Sequence, residues 1–582
     1  MADASFAYGI HMSEKIRRSK SFEPNTLLTE TLPAGQVAHR DHIAHSALLA
    51  KNFYQVTTGV WSFVGNGLSN QSFIDAPDGI IAIDTGESVE EMRNALTELE
   101  KHTSRPVVAV LYTHFHYVGG TQAVLDKYGD VPIWGHADIS FNRERTATEI
   151  APAYSRGLVE QFAVTLTDSG DDGLVNVGLG NFYRDPSHAP HTFGFVAPTN
   201  TFAEQCTINV AGIAIEVTPA PSDAEDSVTF WFPTLGTAVN NLVWPVLFNI
   251  FAIRGEEYRD PQVMLRGLDH LLSLQSEHLV GAHGPPISGQ ADIARRVTRY
   301  RDSIQFLWDQ TVRHTNRGAS SRDLAHLIQL PSYYDDDYLT SEYYGVAEHH
   351  VRQIRSGLFG FFDGEESNLF PLPTSDRADR LIAGFGGVEV VRNTVTTALR
   401  ADDVRWALEC GSWLIHHAGS TDDDKRLYAS VLRAVAQRTP AANIRNWCLA
   451  RARHLDGTFD LSRFSTHRLA KRQILASPAE TTIRLMRVLL VPEHAQNMDT
   501  LIRWQFQDGQ TASLHIRNAV AVPVNNTTSN NIVKCSLDTW ANIVGGSLTL
   551  SASISQGDLV IEGDAQSVVD ALKAFDIAGL CA

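Results

Sequence analysis

Hydrophobic residues in the first third of the chain form short runs that end at turn residues. The run VWSFV at 60–64 alternates, and GIIAID at 79–84 is apolar until it reaches a Thr-Gly pair. The run VVAVLY at 107–112 is rich in β-branched residues, as is typical of a buried strand. Residues 88–102 and 121–128 have helical spacing instead. Strands and helices that alternate in this way predict a layered α/β domain.

The pattern changes twice further along the chain. From about residue 294 to 457, Leu, Ala, Arg and Trp recur at helical spacing, as at 404–418 and 424–437, which predicts an all-α segment. The remaining pattern predicts a small α+β domain. Its predicted elements are a helix at 478–490, strands at 500–507, 512–517 and 546–554, and a closing helix at 565–575. We therefore predict four parts: an arm (1–45), an α/β domain (46–310), a helical domain (311–457) and an α+β domain (458–582).

The composition limits the kinds of binding partner and indicates the cellular location that we expect. The net charge of −18 argues against a nucleic-acid or anionic-membrane partner, because phosphate groups are bound mainly by Lys and Arg. The first 21 residues lack the apolar stretch of a signal peptide, and no window approaches 18 apolar residues, so we expect no membrane span. The cysteines are scattered without C-x-x-C spacing, which indicates a reducing, cytoplasmic location. They are Cys206, Cys410, Cys448, Cys535 and Cys581.

A histidine pair follows directly after the run at 107–112. The segment THFHYVGG at 113–120 places His114 and His116 two residues apart on an extended loop, so both imidazoles can face one cation. The glycines beyond them let the chain turn tightly into the next helix. The pair could also be two loop histidines without a ligand, because His-x-His alone is a weak signal. The position at a strand end favours a metal site.

This region resembles the metallo-β-lactamase superfamily, which has T-H-x-H-x-D-H-x-G-G here. Within that superfamily, VVAVLYTHFHYVGG at 107–120 is similar to the alkylsulfatase run VVAVIYTHSHVDHFGG. Further similar stretches are TP at 218–219, FWFP at 230–233, IRG at 253–255 with RD at 259–260, and GAH at 281–283. LFGFFDG at 358–364 and NLFPLP at 368–373 resemble the alkylsulfatase dimerisation domain, and the C-terminal part, with VIEGD at 560–564, resembles a sterol-carrier-like domain. The resemblance implies an αββα metallo-β-lactamase-like domain, then an all-α dimerisation domain, then an α+β domain.

The chain also departs from the family at its metal ligands. The Asp-His pair that holds the second metal in the family is missing after His116. A family glutamate ligand corresponds to Asp223, with Glu225 and Asp226 as rival positions. Asn241 stands where the resemblance implies a bridging glutamate, and Phe248 stands where it implies a histidine acid.

These departures predict one divalent metal per chain. Two metals need more donors and more carboxylates than the chain offers here. His114, His116 and Asp223 would form the metal-binding face, with His283 as a fourth ligand or as a histidine hydrogen-bonded in the core. Such a face suits mononuclear zinc, but it is also the donor set of non-haem iron oxygenases.

The resemblance also implies the residues that meet the substrate. Arg254 would grip sulfate or carboxylate oxygens, unless it forms a structural ion pair with an acidic residue. Asn249 would donate to the same anion or make a simple turn hydrogen bond. Asp223 and Tyr117 are the candidate catalytic residues, and Tyr117 could act as an acid, fill the vacated second metal position or simply pack.

Two functions follow as expectations. The first is a mononuclear hydrolase that cleaves a sulfate ester or acts on another small anionic or amphiphilic substrate, with zinc as the metal. The alternative is an oxidative iron enzyme on the same scaffold, or a non-catalytic binding homologue. The resemblance implies a homodimer, and the sterol-carrier-like domain implies an apolar cleft.

Overall fold

The fold comes from a computed structural model, which describes residue 22, residues 28–525 and residues 528–581. The chain divides into two compact units. The first holds Met1–Arg143 and Arg156–Leu461, and the second holds Glu144–Ser155 and Ser462–Ala582. Within the described ranges, no helix combines the length and apolar character that crossing a bilayer requires.

The first unit contains a strand pair and two larger sheets. A hairpin of β1 and β2 precedes helix α1, with bounds Thr29–Thr31, Val37–His39 and Arg40–His45. The seven-stranded sheet runs in the order β3 to β9: Asn52–Thr57, Val60–Val64, Gln71–Ala76, Gly79–Ile83, Val107–Leu111, Ile133–His136 and Asn200–Phe202. The six-stranded sheet runs in the order β10 to β15: Cys206–Val210, Ile213–Pro219, Val228–Phe232, Thr237–Asn240, His278–Gly281 and Ile287–Ser288.

The two larger sheets pack face to face between layers of helices. One core cluster joins their inner faces and includes Ile81, Leu111, Val217 and Phe230, all buried. The outer face of the first sheet packs against α2 (Val89–Leu99) and α3 (Thr121–Tyr128). The outer face of the second packs against α6 (Pro261–Ser273), α7 (Gln290–Thr315) and α9 (Ala347–Phe359). This is the layered α/β domain that the alternating runs predict, in the αββα arrangement that the family resemblance implies. β6 to β9 are parallel, so their carboxyl ends, including the end of β7 that leads into His114, lie at one edge of the sheet.

The helices of the first unit continue into an all-α segment. The helices from α2 to α7 are Val89–Leu99, Thr121–Tyr128, Ile139–Ala147, Ala151–Gln161, Pro261–Ser273 and Gln290–Thr315. Those from α8 to α14 are Ser321–Leu327, Ala347–Phe359, Thr374–Phe385, Val388–Arg400, Val404–His416, Asp422–Arg438 and Ala442–Leu455. Two core clusters formed mainly by α10 to α14 hold this segment together.

The second unit is an α+β domain around a five-stranded sheet. Its strands, β16 to β20, are Asp499–Phe506, Thr511–Arg517, Val520–Pro523, Ile532–Cys535 and Leu559–Glu562, in the order β18-β17-β16-β19-β20. Its helices, α15 to α21, are Lys471–Leu475, Ala479–Leu485, Pro492–Ala495, Leu537–Val544, Leu550–Gln556, Ala565–Lys573 and Ala578–Cys581. A cavity of about 280 Å³ in this unit is lined partly by Glu480, Arg484 and Arg503. This cavity is polar, unlike the apolar cleft that the resemblance implies.

Two predictions about local structure are wrong. The segment 546–554, predicted as a strand, contains a turn and then the start of helix α19 at Leu550, because the Thr549 side chain accepts a hydrogen bond from the Ala552 amide and caps the helix. The arm at 1–45, whose sequence has no periodic pattern that would predict regular structure, contains the β1–β2 hairpin and α1 where it is described. The prediction that the first 21 residues contain no signal peptide concerns a segment that lies outside the described residues.

Candidate metal centre

The histidine loop is held close to the loop that follows β6. The Thr85 amide donates to the Tyr117 carbonyl at 2.8 Å, and the Gly119 amide donates to the Gly86 carbonyl at 2.8 Å. A Cβ at Gly119 would lie 2.3 Å from the Glu87 carbonyl oxygen, and one at Gly120 would lie 2.1 Å from the Thr85 carbonyl oxygen. The two glycines are therefore required by the close approach of the two loops.

The His114 ring is oriented by Thr113 and Asp84. The Thr113 hydroxyl donates to Asp84 Oδ2 at 2.6 Å and lies 2.8 Å from His114 Nδ1. Since that hydroxyl proton goes to Asp84, Nδ1 is the donor to Thr113 and Nε2 carries the lone pair of the ring. Burial lowers the pKa of His114 to about 3, so its imidazole is neutral, which is the form that binds metals.

Three side chains converge beside that lone pair. Asp223 Oδ1 lies 3.8 Å from His114 Nε2, and Asp223 Oδ2 lies 3.1 Å from His116 Nδ1. One donor atom from each of these three residues lies within 4.8 Å of the others, so the group could hold a metal ion. Burial opposes ionisation of Asp223, but His116, His114 and Arg259 hold its pKa well below the ordinary value. Of the rival carboxylates, Glu225 is exposed and Asp226 is outside this group.

Asn241 lies against the group as a neutral amide. Its Nδ2 is 2.6 Å from Asp223 Oδ1 and 3.3 Å from His114 Nε2. The Trp244 indole N–H donates to Asn241 Oδ1 at 3.1 Å, which orients the amide with its nitrogen toward Asp223. A neutral donor therefore occupies the place where the family resemblance implies a bridging carboxylate. Phe248, at the place of the implied acid, is fully buried and packs on Trp244 at a ring distance of 4.6 Å.

His283 lies beside Tyr117 and is not one of the three grouped donors. Its Nε2 is 3.0 Å from the Tyr117 hydroxyl, and its Nδ1 is 2.8 Å from the Leu68 carbonyl oxygen. Both ring nitrogens are thus engaged by protein groups. Burial raises the pKa of Tyr117 well above its ordinary value, so this hydroxyl keeps its proton.

The expected substrate-binding residues occupy two different environments. Arg254 Nη2 lies 2.6 Å from Glu256 Oε1, and both side chains are almost fully buried. Asn249 is buried, and its two side-chain polar atoms have no hydrogen-bond partner among the described residues. A Cβ at Gly345 would lie 2.1 Å from Asn249 Oδ1, so the amide packs closely against this residue.

Two charged residues of this centre were not among the expected site residues. Glu256 Oε1 is 3.8 Å from His116 Nε2, which places a second carboxylate beside the histidine pair. Arg259 is buried and donates to the Asn249 carbonyl oxygen at 2.6 Å, while its Nε and Nη2 have no partner among the described residues. The sequence signal for both was the dense run of charges RGEEYRD at 254–260.

Comparisons with known proteins agree with this architecture. Residues 64–203 match the metallo-beta-lactamase superfamily, and residues 320–458 match the family described as alkyl sulfatase dimerisation. A linear primary-alkylsulfatase of a Pseudomonas species is 30% identical over 534 residues, which cover 86% of this chain and 98% of the relative. An alkyl/aryl-sulfatase of Saccharomyces cerevisiae is 25% identical, with 90% of this chain and 82% of the relative covered.

A solved structure shows the same fold over nearly the whole chain. The stereoselective inverting sec-alkylsulfatase Pisa1 from a Pseudomonas species superposes with a TM-score of 0.81 at 21% identity. The match covers 96% of this chain and 90% of that one, so it includes the C-terminal α+β region.

Proposed function

The chain belongs to the alkylsulfatase family of metallo-β-lactamase-fold enzymes, and on that premise we propose that it hydrolyses a sulfate ester, or a related anionic amphiphile, with one zinc ion. Membership makes it a metal-dependent, sulfatase-like hydrolase. The relatives reported above are named as sulfatases, and nothing in them or in the site favours oxidative iron chemistry or a non-catalytic role.

The convergence of His114, His116 and Asp223 carries the proposal. Two imidazoles and one carboxylate are a donor set that zinc accepts with a position left open for water. A divalent metal bound there supplies Lewis acidity and lowers the pKa of water toward neutrality. His283 is joined to the centre through Tyr117, and we propose it as a supporting residue, with the three grouped side chains as the ligands.

The other residues act on the substrate and its protons. Asp223 fixes both histidines and carries the negative charge that favours a cation. Tyr117 keeps its proton and donates it to His283 Nε2, because His283 Nδ1 donates to the Leu68 carbonyl oxygen. To act as an acid toward a leaving oxygen, the Tyr117 hydroxyl would have to turn away from His283. Arg254 and Asn249 would meet the anionic group of the substrate, the first through a guanidinium fork and the second through its amide N–H.

We also propose a homodimer formed through the helical segment. Phe361 and Phe370 are 84% and 93% exposed, and Leu358, Phe359, Leu369 and Leu372 nearby are exposed too. An apolar surface of this kind on one stretch of chain favours burial against another protein surface. This stretch lies inside the region that matches the dimerisation family. The free thiol state of all five cysteines supports a cytoplasmic location.

The test measures metal content and sulfate release on the same preparation. Protein purified without added metal should contain about one zinc per chain and release sulfate from dodecyl sulfate. Release should be slow because a histidine acid is replaced by Phe248, and a missing general acid alone reduces rates by about 10²–10⁴. His114→Ala and His116→Ala should each lose the metal and remain folded. Two tightly bound metals per chain, or bound iron, would refute the proposal.

A further inference from the structure

The arginine assigned to the substrate anion already has a carboxylate partner. Glu256 follows Arg254 by two residues, and Gly255 between them has a φ of +89°, which turns the chain back on itself. The two side chains meet at 2.6 Å, with exposed fractions of only 6% and 8%. A charge-assisted hydrogen bond of this length, shielded from water, is among the stronger pairs a protein makes.

Glu256 also lies between this arginine and the metal centre. The same oxygen, Oε1, that contacts Arg254 is 3.8 Å from His116 Nε2. An anionic group of a substrate that reached both the guanidinium and the metal centre would have to lie in this same space. A carboxylate oxygen 2.6 Å from a buried guanidinium nitrogen is ion-paired with it. The Glu256 carboxylate therefore occupies the place where the anionic group of the substrate would bind.

The segment that carries Glu256 has no regular secondary structure. Residues 255–260 have no helix or strand hydrogen-bonding pattern before α6 begins at Pro261. Displacing the Glu256 carboxylate from Arg254 therefore breaks their ion pair and no helix or strand hydrogen bond.

The geometry points to Glu256 as a specificity-determining residue that competes with the substrate anion for Arg254. This inference rests on the proposed function, because it takes Arg254 as the residue that meets the substrate. An alkyl sulfate has to displace an internal carboxylate before it can be gripped, so Glu256 weakens the binding of anionic amphiphiles. Without its charge, the guanidinium would be free for the substrate.

The test is a binding measurement that needs no turnover. The metal-loaded full chain is titrated calorimetrically with decanesulfonate below its micelle concentration, since a sulfonate has the anionic head but no ester bond to cleave. Glu256→Gln should bind decanesulfonate about tenfold more tightly than the native chain, because a hydrogen bond to a charged group is released for the ligand. Glu257→Gln is the matched control: it removes the same charge from an exposed neighbour and should leave the affinity unchanged.

A second substitution isolates the arginine. Arg254→Gln added to Glu256→Gln should abolish the gain, because the gain depends on the freed guanidinium. Unchanged or weaker binding by a folded, metal-loaded Glu256→Gln overturns the inference, and so does a loss of metal, which would make Glu256 a ligand. If that variant fails to fold, Glu256→Ala provides the same comparison. Failure of the proposed function would show instead as absent zinc or absent sulfate release in the native chain.

Discussion

Asp223→Asn should weaken metal binding at this centre while leaving the protein folded. The substitution keeps the shape of the side chain, and the new amide oxygen can still accept the hydrogen bond that Asn241 donates to Oδ1 at 2.6 Å. It removes the one carboxylate of the three grouped donors, which lies 3.1 Å from His116 and 3.8 Å from His114. Two neutral imidazoles would remain to hold a dication.

The magnitude follows from the energy that each ligand contributes. Structural zinc sites bind with about 10–16 kcal/mol over four ligands, or about 2.5–4 kcal/mol for each. At about 1.4 kcal/mol per factor of ten, Asp223→Asn should weaken zinc binding by about 10²–10³-fold. Sulfate release should fall with the bound zinc.

A chelator competition at neutral pH measures the effect directly. Asp226→Asn is the matched control, because Asp226 is a buried aspartate of the same loop whose pKa burial raises to about 6. Its substitution should leave zinc affinity within a few-fold of the native value. Stoichiometric zinc in Asp223→Asn together with zinc loss in Asp226→Asn would show that the second aspartate is the ligand and would refute this reasoning.

Three further variants test the acid, the pH dependence and the dimer. Tyr117→Phe should keep zinc but reduce the rate of sulfate release, and the buried His283 nitrogen left without a partner should lower stability by about 1–3 kcal/mol in denaturant titrations. Burial lowers the pKa of His45 from 6.5 to about 4, so the unfolded chain takes up the proton first and stability falls as pH drops through this window. Between pH 8 and pH 5, the free energy of unfolding of His45→Gln should therefore fall by about 2 kcal/mol less than that of the native chain. An identical fall in both would contradict the lowered pKa of His45. Phe361→Glu with Phe370→Glu should convert the dimer to a 64.1 kDa monomer in sedimentation, whereas an unchanged dimer would place the interface elsewhere.

Much of the fold is predictable because its elements have clear periodicity. The helix predicted at 121–128 has the same bounds in the structure, and the strand at 107–112 differs by one residue. The error at 546–554 arises because a short segment with alternating apolar residues fits both the periodicity of a strand and that of a helix. There, a threonine cap and the packing of Leu550 in the core decide for a helix.

The metal group is predictable in part because two of its members share one loop. His114 and His116 stand at the end of a buried strand, which is visible in the sequence. Asp223 lies in the loop between β11 and β12, and this loop is brought beside the histidines where the Val228 amide at the start of β12 donates to the Thr113 carbonyl at 2.9 Å. The sequence alone left three acidic residues open for this position. The contact between Tyr117 and His283 joins residues 166 apart, so no local pattern encodes it.

The charges around the centre support the proposal of one metal per chain. Arg254 and Arg259 are positive, and Asp223 and Glu256 are negative, so these four side chains sum to zero. One divalent metal leaves a charge of +2, and an alkyl sulfate monoanion reduces it to +1. A second dication would raise the sum to +4 beside the neutral amide of Asn241, and an uncompensated buried charge costs several kcal/mol. The negative charge of the substrate therefore offsets part of the positive charge of the metal-loaded site. Glu256 weakens substrate binding because its own negative charge competes for Arg254.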